Sequence, residues 1–211
     1  MARRALIAGA TGLVGAQVLA ALLADPAYAA VRALARRPLG PTHPKLSVDV
    51  IDFERLADVA VARVDDVFCC LGTTIAAAGS RAAFRHVDFD YPLALARGAL
   101  AAGARRFLFV SAIGADPHSA VFYSRIKGEL EEAVEALGYR CAVAFRPSLL
   151  SGKREQHRLG ERFALAVLRP LRFALPRNYR PVSAEAVARA MLRAAGATPA
   201  GFTVIESAAM Q

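Results

Sequence analysis

Tyr123 and Lys127, a phenol and an ammonium four residues apart, are the side chains of this sequence best placed to move a proton. On a helix that spacing puts both on one face. A phenol with an ordinary pKa of about 10 is a poor base near neutrality. A neighbouring ammonium favours the phenolate and lets the group exchange a proton with an alcohol or carbonyl oxygen. Ser111 ends the apolar run Phe107-Leu108-Phe109-Val110, where a hydroxyl would hydrogen-bond that same oxygen and steady developing charge. Tyr-x-x-x-Lys alone is a common spacing; its place behind a strand-end serine gives it weight.

A second constellation lies near the start of the chain, Gly9-Ala10-Thr11-Gly12-Leu13-Val14-Gly15. Behind an apolar strand and ahead of a helix, such glycines let the backbone turn sharply and approach a pyrophosphate with no Cβ between them. The last one lets the helix pack close to the strand. The helix N-terminus then offers unpaired N–H groups and the positive end of its dipole to the phosphates. The spacing differs by one residue from Gly-x-Gly-x-x-Gly. Arg36 and Arg37 follow the second apolar run, where a carboxylate would suit a free ribose and arginine suits a 2′-phosphate. NADP(H) is therefore expected ahead of NAD(H). Asp52 after the third run would sit beside the adenine, and Leu71-Gly72-Thr73 after the fourth would let the backbone pass close to the cofactor.

Positioning these groups takes alternating strands and helices, the pattern of a parallel sheet. Strands are expected at residues 5–8, 31–35, 46–50, 67–70, 107–110, 141–145 and 202–205. Helices are expected at 13–24, at 80–102 with a break near Tyr91-Pro92, at 121–137 with a stop at Gly138, and at 184–195 behind a Ser183 cap. The fold class is α/β, a Rossmann-type doubly wound parallel sheet with a small C-terminal substrate lobe. Residues 1–211 form one domain, with the lobe at about 151–182. The lobe carries Lys153, Arg154, His157, Arg158, Arg162, Arg169, Arg172, Arg177 and Arg180. It would suit an anionic substrate group, a solvated rim or a subunit contact.

At 211 residues and 55% hydrophobic, the chain can bury a full core. Its net charge of +9 is spread rather than massed in a basic block. With no Trp to stack bases, nucleic acid is not an expected partner. Cys69, Cys70 and Cys141 have no ligand spacing with the four histidines, and no metal is expected. Adjacent strand residues face opposite ways, which separates Cys69 from Cys70. An odd, sparse cysteine count suits a reducing compartment, and a cytoplasmic location is expected. The apolar stretch 5–24 behind Arg3 and Arg4 has the look of a leader. Its three glycines, and its place as the first strand and helix of the fold, favour a soluble reading without membrane contact.

Taken together, GATGLVG, the strand-end Ser111 and Tyr123-Ser124-Arg125-Ile126-Lys127 resemble the short-chain dehydrogenase/reductases of the extended or atypical kind. More narrowly, the chain resembles the Tat-interacting oxidoreductase-like branch. That likeness is carried by Cys69 to Thr74, Val87 to Pro92, Lys127 to Glu131 and Arg146 to Leu150. The resemblance implies a cofactor site built from Gly9, Thr11, Gly12, Leu13, Gly15, Arg36, Arg37, Asp52, Leu71, Gly72 and Thr73. It implies Ser111, Tyr123 and Lys127 as the catalytic set, with Tyr123 and Lys127 also touching the cofactor and Pro147 and Ser148 beside the nicotinamide. Many members carry an Asn in the long central helix that completes a proton relay; here that stretch reads His86-Val87-Asp88. The activity implied is reduction or oxidation of a small carbonyl or alcohol with NADP(H). An epimerase or dehydratase, and a cofactor-sensing module that acts through a regulatory protein partner, stay open beside it. A homodimer through the two long helices is a further expectation.

Overall fold

Short apolar runs that bury both faces need helices on each side of a parallel sheet. The computed structural model has this architecture and describes residues 2–40, 42–58, 64–151 and 176–211. Its strands are β1 (Arg3–Ala8), β2 (Tyr28–Ala35), β3 (Leu46–Val50), β4 (Asp66–Cys69), β5 (Arg106–Val110), β6 (Cys141–Arg146), β7 (Leu150–Ser151), β8 (Val182–Ser183) and β9 (Gly201–Glu206). Seven of them form one parallel sheet in the order β3-β2-β1-β4-β5-β6-β9, and β7 pairs with β8 apart from it. The chain leaves β1 towards β2 on one side and returns at β4 on the other. The crevice outside the ends of β1 and β4 is the switch point where ligands of such sheets bind.

The helices are α1 (Leu13–Ala24), α2 (Ile75–Ala78), α3 (Arg81–Arg85), α4 (Tyr91–Ala101), α5 (Phe122–Glu135) and α6 (Ala184–Ala197). Strand alternation divides the core into two layers. Ile7, Phe68, Leu108 and Phe145 pack with Val18 and Leu22 of α1 and Met191 of α6. Leu6, Val67, Phe107 and Phe109 pack with Leu95 of α4 and Leu130 and Val134 of α5. Cys69 belongs to the second layer and Cys70 packs against the first, on opposite faces as expected.

Helix α1 and strand β3 have the bounds expected from the sequence. The break expected at Tyr91-Pro92 is not a break. Residues 81–101 run on as α3, one π-helical turn (His86–Asp90) and α4. A proline inside a helix lacks its N–H and crowds the carbonyl four residues back, here Asp88. Widening by one residue over that turn accommodates Pro92 without ending the helix. Ser183 caps α6 as expected, accepting the Ala186 N–H at 3.1 Å. Most of the lobe expected at about 151–182, with its basic residues from Lys153 to Arg172 and its apolar stretch 163–175, lies outside the described residues.

Candidate active site

The glycine loop leaves β1 at the switch point, and its three glycines do different work. Gly9 has a φ of +87°, and a Cβ there would stand 2.4 Å from the Cys70 carbonyl oxygen. A Cβ on Gly15 would stand 2.0 Å from the Gly9 oxygen. Both are required by the approach of β1, β4 and α1 to one another. Gly12 is different: it is exposed, has extended backbone, and its absent Cβ would meet the Gly9 oxygen only at 3.2 Å. It also starts α1 with no side-chain cap and no acid in the first turn, which leaves the helix N-terminus open to an anion. Thr11 is exposed beside it and Leu13 packs against the core. Residues of this kind fit a dinucleotide pyrophosphate.

Arg36 and Arg37 follow β2, both exposed and without an ion pair among the described residues. Arg36 lies near enough to Tyr91 to pull on its phenol, although burial and Glu54 together push that phenol up to about 12. Asp52 is exposed after β3, where its carboxylate accepts the Glu54 N–H. Glu54 in turn accepts from Tyr91 at 2.6 Å and meets His86 Nε2 at 2.8 Å, which closes the crevice wall beyond β3.

At the end of β4 the backbone of Leu71, Gly72 and Thr73 runs over a buried ion pair. Lys127 Nζ stands 2.7 Å from Asp88 Oδ1, and the side chains are 4% and 1% exposed. Asp88 Oδ2 accepts the Thr73 N–H at 2.8 Å. A Cβ on Gly72 would lie 3.4 Å from Asp88 Oδ1 and 3.8 Å from Lys127 Nζ. Burial works against the Lys127 ammonium. The Asp88 carboxylate outweighs it, with a further pull from Tyr123, and holds this lysine above its ordinary pKa. Asp88 reaches this pair from the π-helical turn between α3 and α4. Tyr123, one turn before Lys127 on α5, is half-buried with its ring 5.4 Å from that of Phe84. Gly128 lets α5 close on the Asp116-Pro117 turn, where a Cβ would stand 2.2 Å from Pro117 N.

Ser111 is placed differently. It is buried, and its hydroxyl donates to Glu131 Oε1. Glu131 takes two further bonds from Arg146, Nε at 3.0 Å and Nη2 at 2.6 Å, and Arg146 Nη1 reaches Glu206 at 3.1 Å. Glu131 sits on α5 eight residues beyond Tyr123, about 12 Å along the axis. The structure therefore brings Tyr123, Lys127, Asp88, Gly72 and Thr73 together, and joins Ser111 to Glu131 and Arg146. Neither Glu131 nor Arg146 was singled out from the sequence as a site residue. The available signal was a charged pair at i and i+4, Lys127 and Glu131, interrupting the buried stripe Ile126, Leu130 and Val134.

Pro147 is buried and its carbonyl accepts the Ile113 N–H at 3.0 Å. The Ser148 hydroxyl donates to the Arg180 carbonyl and accepts from Ser207 at 3.0 Å. Its side chain thereby ties the β6 end to the C-terminal segment.

Residues 9–141 match the family described as NAD(P)H-binding. The chain is 38% identical over 172 residues to "Protein fmp52, mitochondrial" of Emericella nidulans, covering 78% of this chain and 73% of that one. It is 37% identical over 191 residues to "Protein HTATIP2" of Rattus norvegicus, covering 88% and 78%. Among solved structures it superposes on an oxidoreductase of the short-chain dehydrogenase/reductase family from Burkholderia thailandensis, with a TM-score of 0.72, 20% identity and coverage of 100% and 93%. It also superposes on MoeE5 in complex with UDP-glucuronic acid and NAD, with a TM-score of 0.75, 19% identity and coverage of 96% and 75%. The mitochondrial names of the fungal relatives overturn the cytoplasmic location expected from the sequence. A sparse cysteine count speaks for a reducing compartment without saying which one. Among the described residues, no helix is long and apolar enough to cross a membrane. The chain belongs to the NAD(P)H-binding family, and the order of its parallel sheet is that of a Rossmann-type α/β fold, shared with short-chain dehydrogenase/reductase and epimerase structures.

Proposed function

We propose that this protein is an NADP(H)-dependent oxidoreductase acting on a small carbonyl or alcohol. The observation that carries the reading is the Tyr123, Lys127 and Asp88 arrangement beneath the Gly72 backbone at the switch point of the sheet. The nicotinamide, when bound, supplies or takes the hydride. The chain's own part is binding and proton handling. The open α1 N-terminus and Gly12 receive the pyrophosphate, Arg36 and Arg37 the 2′-phosphate, and Asp52 lies towards the adenine. Lys127, fixed by Asp88, would hold the nicotinamide ribose and stands near the Tyr123 phenol. Tyr123 gives its proton to the substrate oxygen in reduction and takes it back in oxidation.

The first experiment is parallel fluorescence titration with NADPH and NADH. Binding with NADPH favoured supports the reading, and no binding of either sinks it. Replacing Arg36 and Arg37 with Ala is expected to weaken NADPH by about 10–100-fold, the worth of one or two bonds to a charged group, and NADH by much less. Equal weakening would remove the 2′-phosphate assignment. Gly12→Ala is expected to weaken both nucleotides about tenfold, because its Cβ costs about 1–3 kcal/mol of overpacking against the phosphates. Its melting temperature without nucleotide should fall far less than that of Gly9→Ala or Gly15→Ala, since a Cβ at Gly12 would stand 3.2 Å from the Gly9 oxygen, against 2.4 Å and 2.0 Å from backbone oxygens at the other two. Net NADPH consumption separates a reductase from an epimerase, which leaves the cofactor balance unchanged.

A further inference from the structure

We infer that the site takes activated carbonyl compounds, such as quinones and α-dicarbonyls, because Glu131 already holds the only proton that Ser111 could offer a substrate. This rests on the oxidoreductase reading above and narrows its substrate class.

A serine hydroxyl donates one hydrogen bond. Here that bond goes to a carboxylate that is itself buried, at 4% exposure, and fixed by two Arg146 donors. A charge-assisted bond of this kind is about twice as strong as a neutral one. Turning Ser111 towards a ketone would leave Glu131 short of a donor in a buried setting, while a neutral carbonyl repays less. Glu131 also lies two helical turns beyond Tyr123 on α5, so the hydroxyl is drawn away from the oxygen that the phenol serves. The next two residues, Ala112 and Ile113, bring no hydroxyl, and the Ile113 N–H is spent on the Pro147 carbonyl. Among the described residues, Ser111 and the two that follow it thus offer the substrate oxygen no free hydroxyl, and the Tyr123 phenol is the hydroxyl that serves it.

Reduction adds a hydride, supplied by the nicotinamide, to the carbonyl carbon and the phenolic proton of Tyr123 to the oxygen; the phenolate then regains a proton from water. A missing second donor on the developing oxyanion costs about 10²–10³ in rate. A carbonyl whose own substituents stabilise that charge loses far less. Glu131 and Arg146 are positioning residues here, acting through Ser111.

The test compares NADPH oxidation with 9,10-phenanthrenequinone or phenylglyoxal against cyclohexanone, and melting without nucleotide, in the parent, Ser111→Ala and Glu131→Gln. The parent is expected to prefer the activated carbonyls by at least about 10²-fold. Ser111→Ala should melt about 5 °C lower, from the lost bond to Glu131, with the same preference between the two classes. Glu131→Gln offers Ser111 a neutral acceptor, and its preference should narrow as the hydroxyl becomes free to turn. Equal turnover of both classes by the parent overturns the proposal and leaves the oxidoreductase reading standing. So does a Ser111→Ala variant with unchanged melting and an altered preference. NADPH binding without turnover of either class overturns both.

Discussion

Tyr123→Phe is expected to cut NADPH-dependent carbonyl reduction by about 10²–10⁴-fold, the range for a lost acid–base group. NADPH affinity should change little. The phenylalanine ring keeps the packing against Phe84, while the loop, Arg36, Arg37 and Lys127 stay in place. The pH profile checks the assignment. Lys127 is held above its ordinary value by Asp88, so it remains charged up to about pH 10 and beyond. An alkaline fall in reduction below that point is then not the loss of the Lys127 charge, and comparing the profiles of Tyr123→Phe and the parent shows whether the fall depends on the phenol. The Lys127–Asp88 pair also bears on stability with a definite sign. A lysine raised in the folded state stabilises the fold below its unfolded value, and this is lost as pH rises through the raised one. The pair should therefore leave the melting temperature level between pH 7 and about 9.5. Residual turnover in Tyr123→Phe within threefold of the parent would remove the phenol from the chemistry.

Much of this molecule is legible because its signals are local. The glycine loop fixes where β1 ends and α1 begins, and Ser183 marks the start of α6, so those boundaries follow from a few adjacent residues. The alternation of apolar runs with helical stretches gives the parallel sheet, though not the order of its strands, and Tyr123 and Lys127 are four apart on one helix. What stayed hidden is non-local. Ser111, Glu131, Arg146 and Glu206 are brought together only by the register of β5, β6 and β9 against α5. Asp88 was noticed as a departure from Asn, but its tie to Lys127 and the Thr73 N–H depends on a helical turn of unusual pitch. The sequence marks Pro92 clearly. It does not say whether a helix ends there or widens, because that depends on how much the rest of the helix buries. Leu93, Leu95, Ala96 and Ala99 beyond the proline are all buried, and their packing outweighs the local cost.

The same non-local logic gives the largest expected effect on stability, at the opposite end of the sheet. Asp66 opens β4 with a fully buried side chain and receives Arg3 at 2.9 Å, the Tyr28 hydroxyl at 2.6 Å, and Arg106. Arg3 also donates to the Ala195 carbonyl at 2.9 Å, so this carboxylate ties the starts of β1, β2, β4 and β5 to the end of α6. Asp66 and the buried Tyr28 raise each other's stakes: burial and the nearby carboxylate push the phenol well above its ordinary pKa, so it stays a donor. Asp66→Ala removes one partner from two arginines that are only 22% and 13% exposed. Breaking a buried pair in this way costs about 3–5 kcal/mol, because the remaining charges lose their counterpart. For a chain of this length that is a fall of roughly 6–20 °C in melting temperature. The proposed nucleotide site lies at the other ends of these strands, so NADPH affinity measured well below the melting transition should match the parent's. Asp66 and Asp88 are both buried carboxylates facing cations, and only Asp88 stands at the crevice. A melting loss under about 1 kcal/mol in Asp66→Ala would mean that Arg3 and Arg106 find water once freed, and that this end of the sheet is held by its apolar core alone.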